Sequence, residues 1–288
     1  ARAVGTREGL IRPKGRLGER SFGRSRSGLR ADEPAGDGGH RGGVTHSTHH
    51  EGPPMTTATH TPTRVRPERV VGATAIALAA SLLIQNVVLG GAGAPDYGAP
   101  IADVLAFHAK NRGTVAVSVG LEALNLPLLL GFLAGLHGLV RGRSEGGATW
   151  SRLALAAGAT LSAIWAIYAV AWTGVVLAAG RGAESIPTLQ LAWHMHAAGL
   201  AMALPALGTT FFGAAMATHA ALLTAPWQRL LGAVGPILLI VAGSASLAIA
   251  NGSPMVFVGV GGLALWVVWL LATGIRLMRV KATTLVRP

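Results

Sequence analysis

The stretch QLAWHMHAAGLAMALPALGTTFFGAAMATHAALL, from Gln190 to Leu223, contains no Asp, Glu, Lys or Arg. About 20 residues of apolar helix cross the hydrocarbon core of a bilayer, so this stretch is long enough to span a membrane. It nevertheless carries three histidines, His194 and His196 near its first end and His219 near its last. The stretch therefore predicts a membrane helix around which a bundle of further helices is organised.

The composition supports a membrane protein. Of the 288 residues, 51% are hydrophobic and only 12% are charged, whereas soluble domains carry about 25% charged residues. The chain has no cysteine, which excludes disulfides, thiolate zinc sites and thiol catalysis. The net charge of +12 comes from the polar first part of the chain and from the edges of apolar runs. No basic stripe with interleaved aromatic residues is present, so we expect the lipid bilayer, and not nucleic acid, as the partner.

The first part of the chain has a different composition. Residues 1–69 are rich in Arg, Gly, Ser and His, with almost no apolar periodicity until the first hydrophobic run. Such a segment cannot bury enough apolar surface to offset its ordering entropy, so a disordered tail is predicted. Met55 is the first methionine, and one hypothesis is that translation begins there and that the residues before it are leader.

Six apolar runs follow the tail, each near the length needed to cross the hydrocarbon core. In lipid every backbone polar group must bond within the protein, so runs of this length are helices. The sequence therefore predicts an all-α, polytopic integral membrane protein with six transmembrane helices and a short tail at 281–288. The predicted spans are residues 70–90, 114–140, 153–179, 191–223, 230–250 and 255–275.

The orientation is predicted from the distribution of Lys and Arg between the two sides of the membrane. One side holds only Lys110, Arg112 and Arg181. The other side holds eleven basic residues: Arg64, Arg66, Arg69, Arg141, Arg143, Arg152, Arg229, Arg276, Arg279, Lys281 and Arg287. Basic residues accumulate in cytoplasmic loops, so both termini are predicted to lie in the cytoplasm and the protein in the plasma membrane. Trp193 then falls at the outer headgroup level.

The first outer loop is the longest connection, and one part of it has helical spacing. Within residues 101–111, Ile101, Val104, Leu105 and His108 recur at intervals of one face of a helix. We expect a short amphipathic helix that lies on the outer surface or caps the bundle. The alternative is a solvated loop without regular structure.

Small residues at four-residue spacing predict close helix contacts. Gly131 and Gly135 form a GxxxG pattern in the second run, and Gly158 with Ser162 repeats the spacing in the third. Such positions let two backbones approach closely in lipid. They support a compact bundle and do not indicate an activity.

Polar residues inside the runs are the candidates for a functional site. Each ionisable side chain at mid-membrane costs about 2.5–3.5 kcal/mol on insertion scales, so each needs a reason. Glu122 is the only acidic residue within a run and lies roughly 12 Å below the predicted outer edge. Asn125 shares its helix face, and Gln85, Asn86 and His194 lie at a similar depth. These five residues predict an outward-facing polar pocket; the alternative is a hydrogen-bond network that only fixes helix register.

Metal and haem are alternative interpretations of the histidines. His194 and His196 are two residues apart, roughly 200° around a helix, so they can share one copper or zinc ion only if the helix begins between them. His137 and His219 lie near the cytoplasmic ends of two spans. A pair of histidines on neighbouring helices is one way to hold haem b, and a redox membrane protein using these four residues is therefore the first alternative.

No enzymatic motif is present. The sequence has no GxSxG elbow, no phosphate-binding Walker loop, no HExxH and no paired carboxylates within a run. We therefore assign no catalytic residue and expect a protein that transports or senses a small molecule or a proton. A structural membrane subunit, in which the polar residues only hold helices together, is the second alternative.

The layout resembles that of the uncharacterised six-span membrane proteins found in actinobacteria. The resemblance covers about residues 69–280 and is carried by the long first outer loop, by LLLGFLAGLHGLVRGR at residues 128–143 and by LALWVVWLLATGIRLMR at residues 263–279. It implies six helices and no known chemistry, and it transfers no site residue to this chain.

Overall fold

The computed structural model describes residues 66–181 and 186–279, and the regular structure of these residues is helical. The predicted disordered tail, the hypothetical start at Met55 and the predicted tail at 281–288 fall outside the described residues, apart from the last few positions of the first tail. The helices, in chain order, are α1 Pro67–Gly91, α2 Ile101–Lys110, α3 Arg112–Arg141, α4 Glu145–Ala179, α5 Ile186–Ala220, α6 Gln228–Ser244, α7 Ser246–Ala250 and α8 Val256–Arg279.

Five of these helices are long and apolar enough to cross a membrane: α1, α3, α4, α5 and α8. The prediction of a helical membrane protein is confirmed to that extent. The predicted span at 230–250 is built differently, because its helix is interrupted at Ala245, where φ is −95° and ψ is 30°. It consists of α6, with 17 residues, and the five-residue α7.

Local signals explain where two helices begin. Helix α1 begins at Pro67, three residues before the predicted span, because proline fits the first helical turn and Glu68 complements the positive end of the helix dipole. Helix α4 begins at Glu145, eight residues early. The Ser144 hydroxyl accepts a hydrogen bond from the backbone N–H of Gly147 at 3.1 Å, which satisfies a donor in the first turn. A hydropathy pattern does not detect either start.

The short helix predicted within residues 101–111 is present as α2. Its buried residues are Ile101, Val104 and His108, three of the four positions in the predicted apolar stripe, and Leu105 is half-buried. The helix packs mainly against α4 and also contacts α3 and α5. It therefore caps this end of the bundle.

The long helices form a closed ring in which each packs against the next. The order around the ring is α1, α3, α4, α5, α6 and α8, and α8 packs back against α1. Helix α5, the charge-free stretch, is the most buried of the five long helices. Its Phe211 lies 4.9 Å from Trp266 and 5.5 Å from Trp269, measured between ring centroids. Phe132 joins the same fully buried aromatic cluster from α3.

Glycines allow the closest helix approaches. A Cβ added at Gly135 would lie 2.6 Å from the Val71 side chain, so the GxxxG face of α3 packs against α1. A Cβ at Gly213 would lie 2.8 Å from the Ala154 backbone nitrogen, where α5 crosses α4. At Gly135 an added Cβ would force the Val71 side chain to shift, whereas at Gly213 the neighbour is backbone and only glycine leaves room for it.

Candidate functional site

Three of the predicted pocket residues form one hydrogen-bonded cluster between α1 and α3. Asn125 donates from Nδ2 to Gln85 Oε1 at 2.9 Å, and Gln85 donates from Nε2 to Glu122 Oε2. All three side chains are buried, with at most 5% of each exposed. The spacing of Glu122 and Asn125 on one face of α3 brings both to the same amide of α1. Gln85 is therefore the central residue of the cluster.

Two oxygens of this cluster have no partner. Glu122 Oε1 and Asn125 Oδ1 are buried and accept no hydrogen bond from the described residues. Within the part of the chain that the structure describes, the one ion pair joins Arg143 to Glu68 at 3.0 Å, far along the chain from Glu122. Buried polar atoms in proteins almost always have a partner. An unpartnered carboxyl oxygen therefore indicates a place for a proton, a water molecule or a ligand.

A cavity of about 220 Å³ lies beside Glu122. Its lining residues come from α1, α3, α4, α5 and α8, together with Tyr97 from the connection between α1 and α2. Its polar side chains include Glu122, Gln85, Asn86, Tyr97 and Tyr168. The other lining residues are Leu82, Leu89, Leu161, Trp165, Leu200, Ala203, Leu204, Leu207, Val256, Gly259, Val260 and Leu263. A mainly apolar cavity with a few convergent polar groups is the usual form of a small-molecule site.

Sequence reasoning missed Tyr97 and Tyr168, the only two tyrosines of the chain. Tyr97 lies in the connection between α1 and α2 and Tyr168 lies in α4, yet both line the cavity. Burial, together with the nearby charge of Glu122, raises the pKa of Tyr97, and a hydrogen bond with Tyr168 partly opposes this shift. The Tyr97 hydroxyl therefore stays protonated. The rarity of tyrosine in this sequence was a signal that could have identified both residues.

The cavity reaches the surface of the bundle at residues of α1 and α8. Asn86 and Val260 line it and are also exposed at the surface of the bundle. The Asn86 side chain donates to the Leu82 carbonyl oxygen of its own helix at 2.8 Å, so it does not join the Gln85 cluster. Towards their other ends α1 and α8 close together at Gly72 and Gly274, where each added Cβ would lie 2.8 Å from the carbonyl oxygen of the other glycine.

His196 is buried among aromatic rings on the far side of the two tyrosines. Its ring stacks on Tyr168 at a centroid distance of 4.0 Å and also lies beside Trp172 and Trp193, at 5.5 and 5.0 Å. Its Nδ1 donates to the Tyr168 carbonyl oxygen at 3.2 Å. Trp193 is only 4% exposed and donates to the Tyr97 carbonyl oxygen. The indole therefore packs within the protein and anchors the connection between α1 and α2, and its predicted depth at the headgroups stays a prediction.

His108 completes this aromatic cluster from α2. The Trp172 indole N–H donates to His108 Nε2 at 2.9 Å, so Nε2 carries no proton and Nδ1 donates to the Val104 carbonyl oxygen at 2.6 Å. Burial lowers the pKa of His108, an effect that the bond to Val104 partly opposes. The imidazole is therefore neutral, and it ties α2 to α4. A second cavity of about 80 Å³ lies between this cluster and Tyr97.

The remaining predicted residues lie elsewhere. His194 is exposed and lines a separate cleft with Gln190 and Asn251, not the cavity beside Glu122. The two histidines could share an ion only if the helix began between them. Helix α5 is continuous from Ile186, so His194 and His196 point to different sides of it. His137 donates from Nδ1 to Ser151 Oγ at 2.8 Å, and His219 lines a separate groove. No group of three or more His, Asp or Glu residues suited to a metal occurs within residues 66–181 and 186–279.

Comparison with known proteins does not extend these observations. No family model matches the chain, no similar protein was found among curated sequences, and no solved structure matches the fold. Inferences about function therefore depend on the cavity beside Glu122 and on the chemistry of the side chains that line it.

Proposed function

We propose that this chain is a non-enzymatic integral membrane protein in which the cavity beside Glu122 binds a small molecule or a proton for transport or sensing. One observation carries the proposal: Glu122 Oε1 is buried and unpartnered, and Glu122 lines a cavity of about 220 Å³. The cavity is large enough for a ligand, since an engineered cavity of about 150 Å³ binds benzene.

The same observation favours a binding site over a purely structural role. A carboxyl group at mid-membrane costs about 2.5–3.5 kcal/mol on insertion scales. The hydrogen bond between Gln85 and Asn125 already links α1 to α3, and an amide at position 122 would accept the second bond of Gln85 equally well. A scaffold therefore gains nothing from the acidic group. A site that takes up a proton or a cation needs it.

We further propose six spans in the plasma membrane with both termini in the cytoplasm. A 17-residue α6 is about 26 Å long, and α7 extends it to the length of the predicted fifth span. Contacts at the helix ends agree with spans that cross the membrane in alternating directions. Glu68 pairs with Arg143 on one side, while Gly98 lies against Gly252 on the other. The excess of Lys and Arg on the side of Glu68 identifies it as cytoplasmic.

Single cysteines test the orientation, because the natural chain has none. Ala109 lies on the exposed face of α2, and Gly146 is exposed at the start of α4. In intact cells we expect a membrane-impermeant maleimide to label Ala109→Cys and to label Gly146→Cys only after the membrane is permeabilised. Labelling in the opposite order would show that the chain is inverted. Labelling of both variants in intact cells would show that the helices between them do not cross the membrane as proposed.

Carbodiimide labelling tests whether the cavity is reachable and whether Glu122 takes up a proton. Dicyclohexylcarbodiimide is apolar and reacts with protonated carboxyl groups. We expect it to modify Glu122 in the membrane, and peptide mass spectrometry locates the adduct. A water-soluble carbodiimide should instead modify the exposed carboxyl groups of Asp103 and Glu145.

Glu122→Gln is the matched control, since it keeps an acceptor for Gln85 and removes the reactive group. The hydrophobic reagent should leave this variant unmodified within the spans. If Glu122 of the folded wild-type protein does not react with the hydrophobic reagent, the cavity is closed to small molecules and the proposed function is wrong.

A further inference from the structure

We propose that the ligand of the cavity beside Glu122 is a hydrophobic monovalent cation, an ammonium group attached to a compact apolar or aromatic body. The inference rests on the proposed function and specifies the ligand of the same site. Four features of the cavity carry it: its single unpaired carboxyl group, its aromatic residues, its leucine walls and its side opening.

The carboxyl group determines the charge. Among the described residues that line the cavity, Glu122 is the only acidic one, and none is Lys, Arg or His. One Glu122 oxygen accepts from Gln85, and the other is buried without a partner. A charge buried away from water must be paired, since leaving it alone is costly. A single positive charge balances the carboxylate, whereas an anion would be repelled and a dication would remain half compensated.

The aromatic residues favour an ammonium group over a metal cation. Trp165, Tyr168 and Tyr97 line the same cavity as Glu122. Aromatic faces attract organic cations, and the recognition of quaternary ammonium groups by aromatic residues is the best-known use of this attraction. A metal ion requires several oxygen or nitrogen ligands. Among the described residues, Glu122 is not part of any group of three or more His, Asp or Glu side chains that could hold a metal ion.

The remaining walls determine the body of the ligand. Leucines from four helices, among them Leu82, Leu161, Leu204 and Leu263, face the cavity. They offer no hydrogen bonds and favour an apolar surface. The volume of about 220 Å³ exceeds the roughly 150 Å³ that accommodates benzene. An aromatic ring with a small ammonium group is therefore a suitable occupant, and a hydrophilic sugar or a nucleotide is not.

The opening indicates how such a ligand enters. Asn86 of α1 and Val260 of α8 line the cavity and are exposed at the surface of the bundle, so we infer a mouth between these two helices that opens towards the acyl chains. A cation with an apolar body concentrates at the membrane interface, with the charge at the headgroups and the body among the acyl chains. From there it reaches the mouth without crossing the outer loop. The Asn86 side chain lies at the mouth as a polar contact for the passing charge.

Benzyltrimethylammonium and neopentylbenzene form a matched pair of probes, because the second replaces the quaternary nitrogen of the first with carbon. Binding of each is measured by thermal shift and calorimetry on the full chain in nanodiscs, and also by protection of Glu122 from the hydrophobic carbodiimide. We expect the wild-type protein to bind the cation at least about tenfold more tightly than the neutral probe. Glu122→Gln should lower affinity for the cation at least about tenfold and leave affinity for the neutral probe unchanged.

Trp165→Leu is a second variant that keeps Glu122 and its hydrogen bonds. It should weaken binding of the cation more than binding of the neutral probe. Equal affinity of the wild-type protein for both probes, or no effect of Glu122→Gln, would overturn the cation proposal. Binding of neither probe, with carbodiimide still modifying Glu122, would also overturn it but leave the proposed function intact. If Glu122 does not react with the hydrophobic carbodiimide, both the cation proposal and the proposed function are wrong.

Discussion

Gln85→Leu is expected to destabilise the folded protein by about 2–6 kcal/mol, although it replaces a polar residue in a membrane helix with an apolar one. Gln85 is the common partner of Glu122 and Asn125. Its loss leaves a carboxyl and an amide group buried without a bond, at about 1–3 kcal/mol each. Interhelical hydrogen bonds in membrane proteins contribute only about 0.6 kcal/mol on average. The expected loss of stability is larger than this average because it comes mainly from the Glu122 carboxyl and the Asn125 amide, which are left buried without a partner.

The measurement is the free energy of unfolding in detergent micelles. Glu122→Gln is the matched control and should change stability by less than about 1 kcal/mol, since the bond from Gln85 is kept. The triple replacement of Gln85, Glu122 and Asn125 by leucine should recover most of the stability lost in Gln85→Leu, because no polar group remains unpaired. Full stability of Gln85→Leu would mean that the cluster does not form as described.

Gly213→Ala is expected to lower the free energy of unfolding by about 3 kcal/mol, at the upper end of the usual cost of overpacking. The added Cβ would lie 2.8 Å from the Ala154 backbone nitrogen and 3.0 Å from the Trp150 carbonyl oxygen. Backbone atoms cannot move aside as the end of a side chain can. The whole of α4 must therefore shift away from α5, along the most extensive helix interface of the bundle.

Gly174→Ala is the control for this substitution. Gly174 also lies within α4, but an added Cβ there meets no atom within 4 Å. Alanine has the higher helix propensity, by about 1 kcal/mol, so this variant should be as stable as the wild-type protein or more stable. Thermal unfolding of the two variants side by side separates the effect of crowding from that of propensity. Similar midpoints for Gly213→Ala and the wild-type protein would contradict the close crossing of α4 and α5.

Most helices could be predicted because their causes are local. An apolar run in lipid must satisfy its own backbone, so hydropathy and length alone predict α1, α3, α4, α5 and α8. The spacing of residues along a single helix also predicted the buried face of α2. It likewise predicted that Glu122 and Asn125 share one face of α3. The interruption at Ala245 was not predicted, since the residues around it remain apolar and the hydropathy does not change there.

The candidate site was only partly predictable, because its residues come from different helices. Gln85 and Glu122 are 37 positions apart, and depth in the membrane alone indicated that they are neighbours. The same argument from depth placed His194 in the pocket, and this was wrong because depth does not show which side of α5 faces the cavity. Depth could not identify Tyr97 either, since the path of the connection between α1 and α2 depends on contacts such as the bond from Trp193 to the Tyr97 carbonyl oxygen.

The sequence by itself determined the class of protein, the helices and the polar residues that need a reason to lie in a membrane, because hydrophobicity and helical periodicity act over neighbouring residues. Only the tertiary structure decided which polar residues meet, where a cavity remains and that one oxygen of Glu122 has no partner. These depend on how α1, α3 and α8 rotate and close against one another, and that is decided by the packing of glycines and side chains from distant parts of the chain.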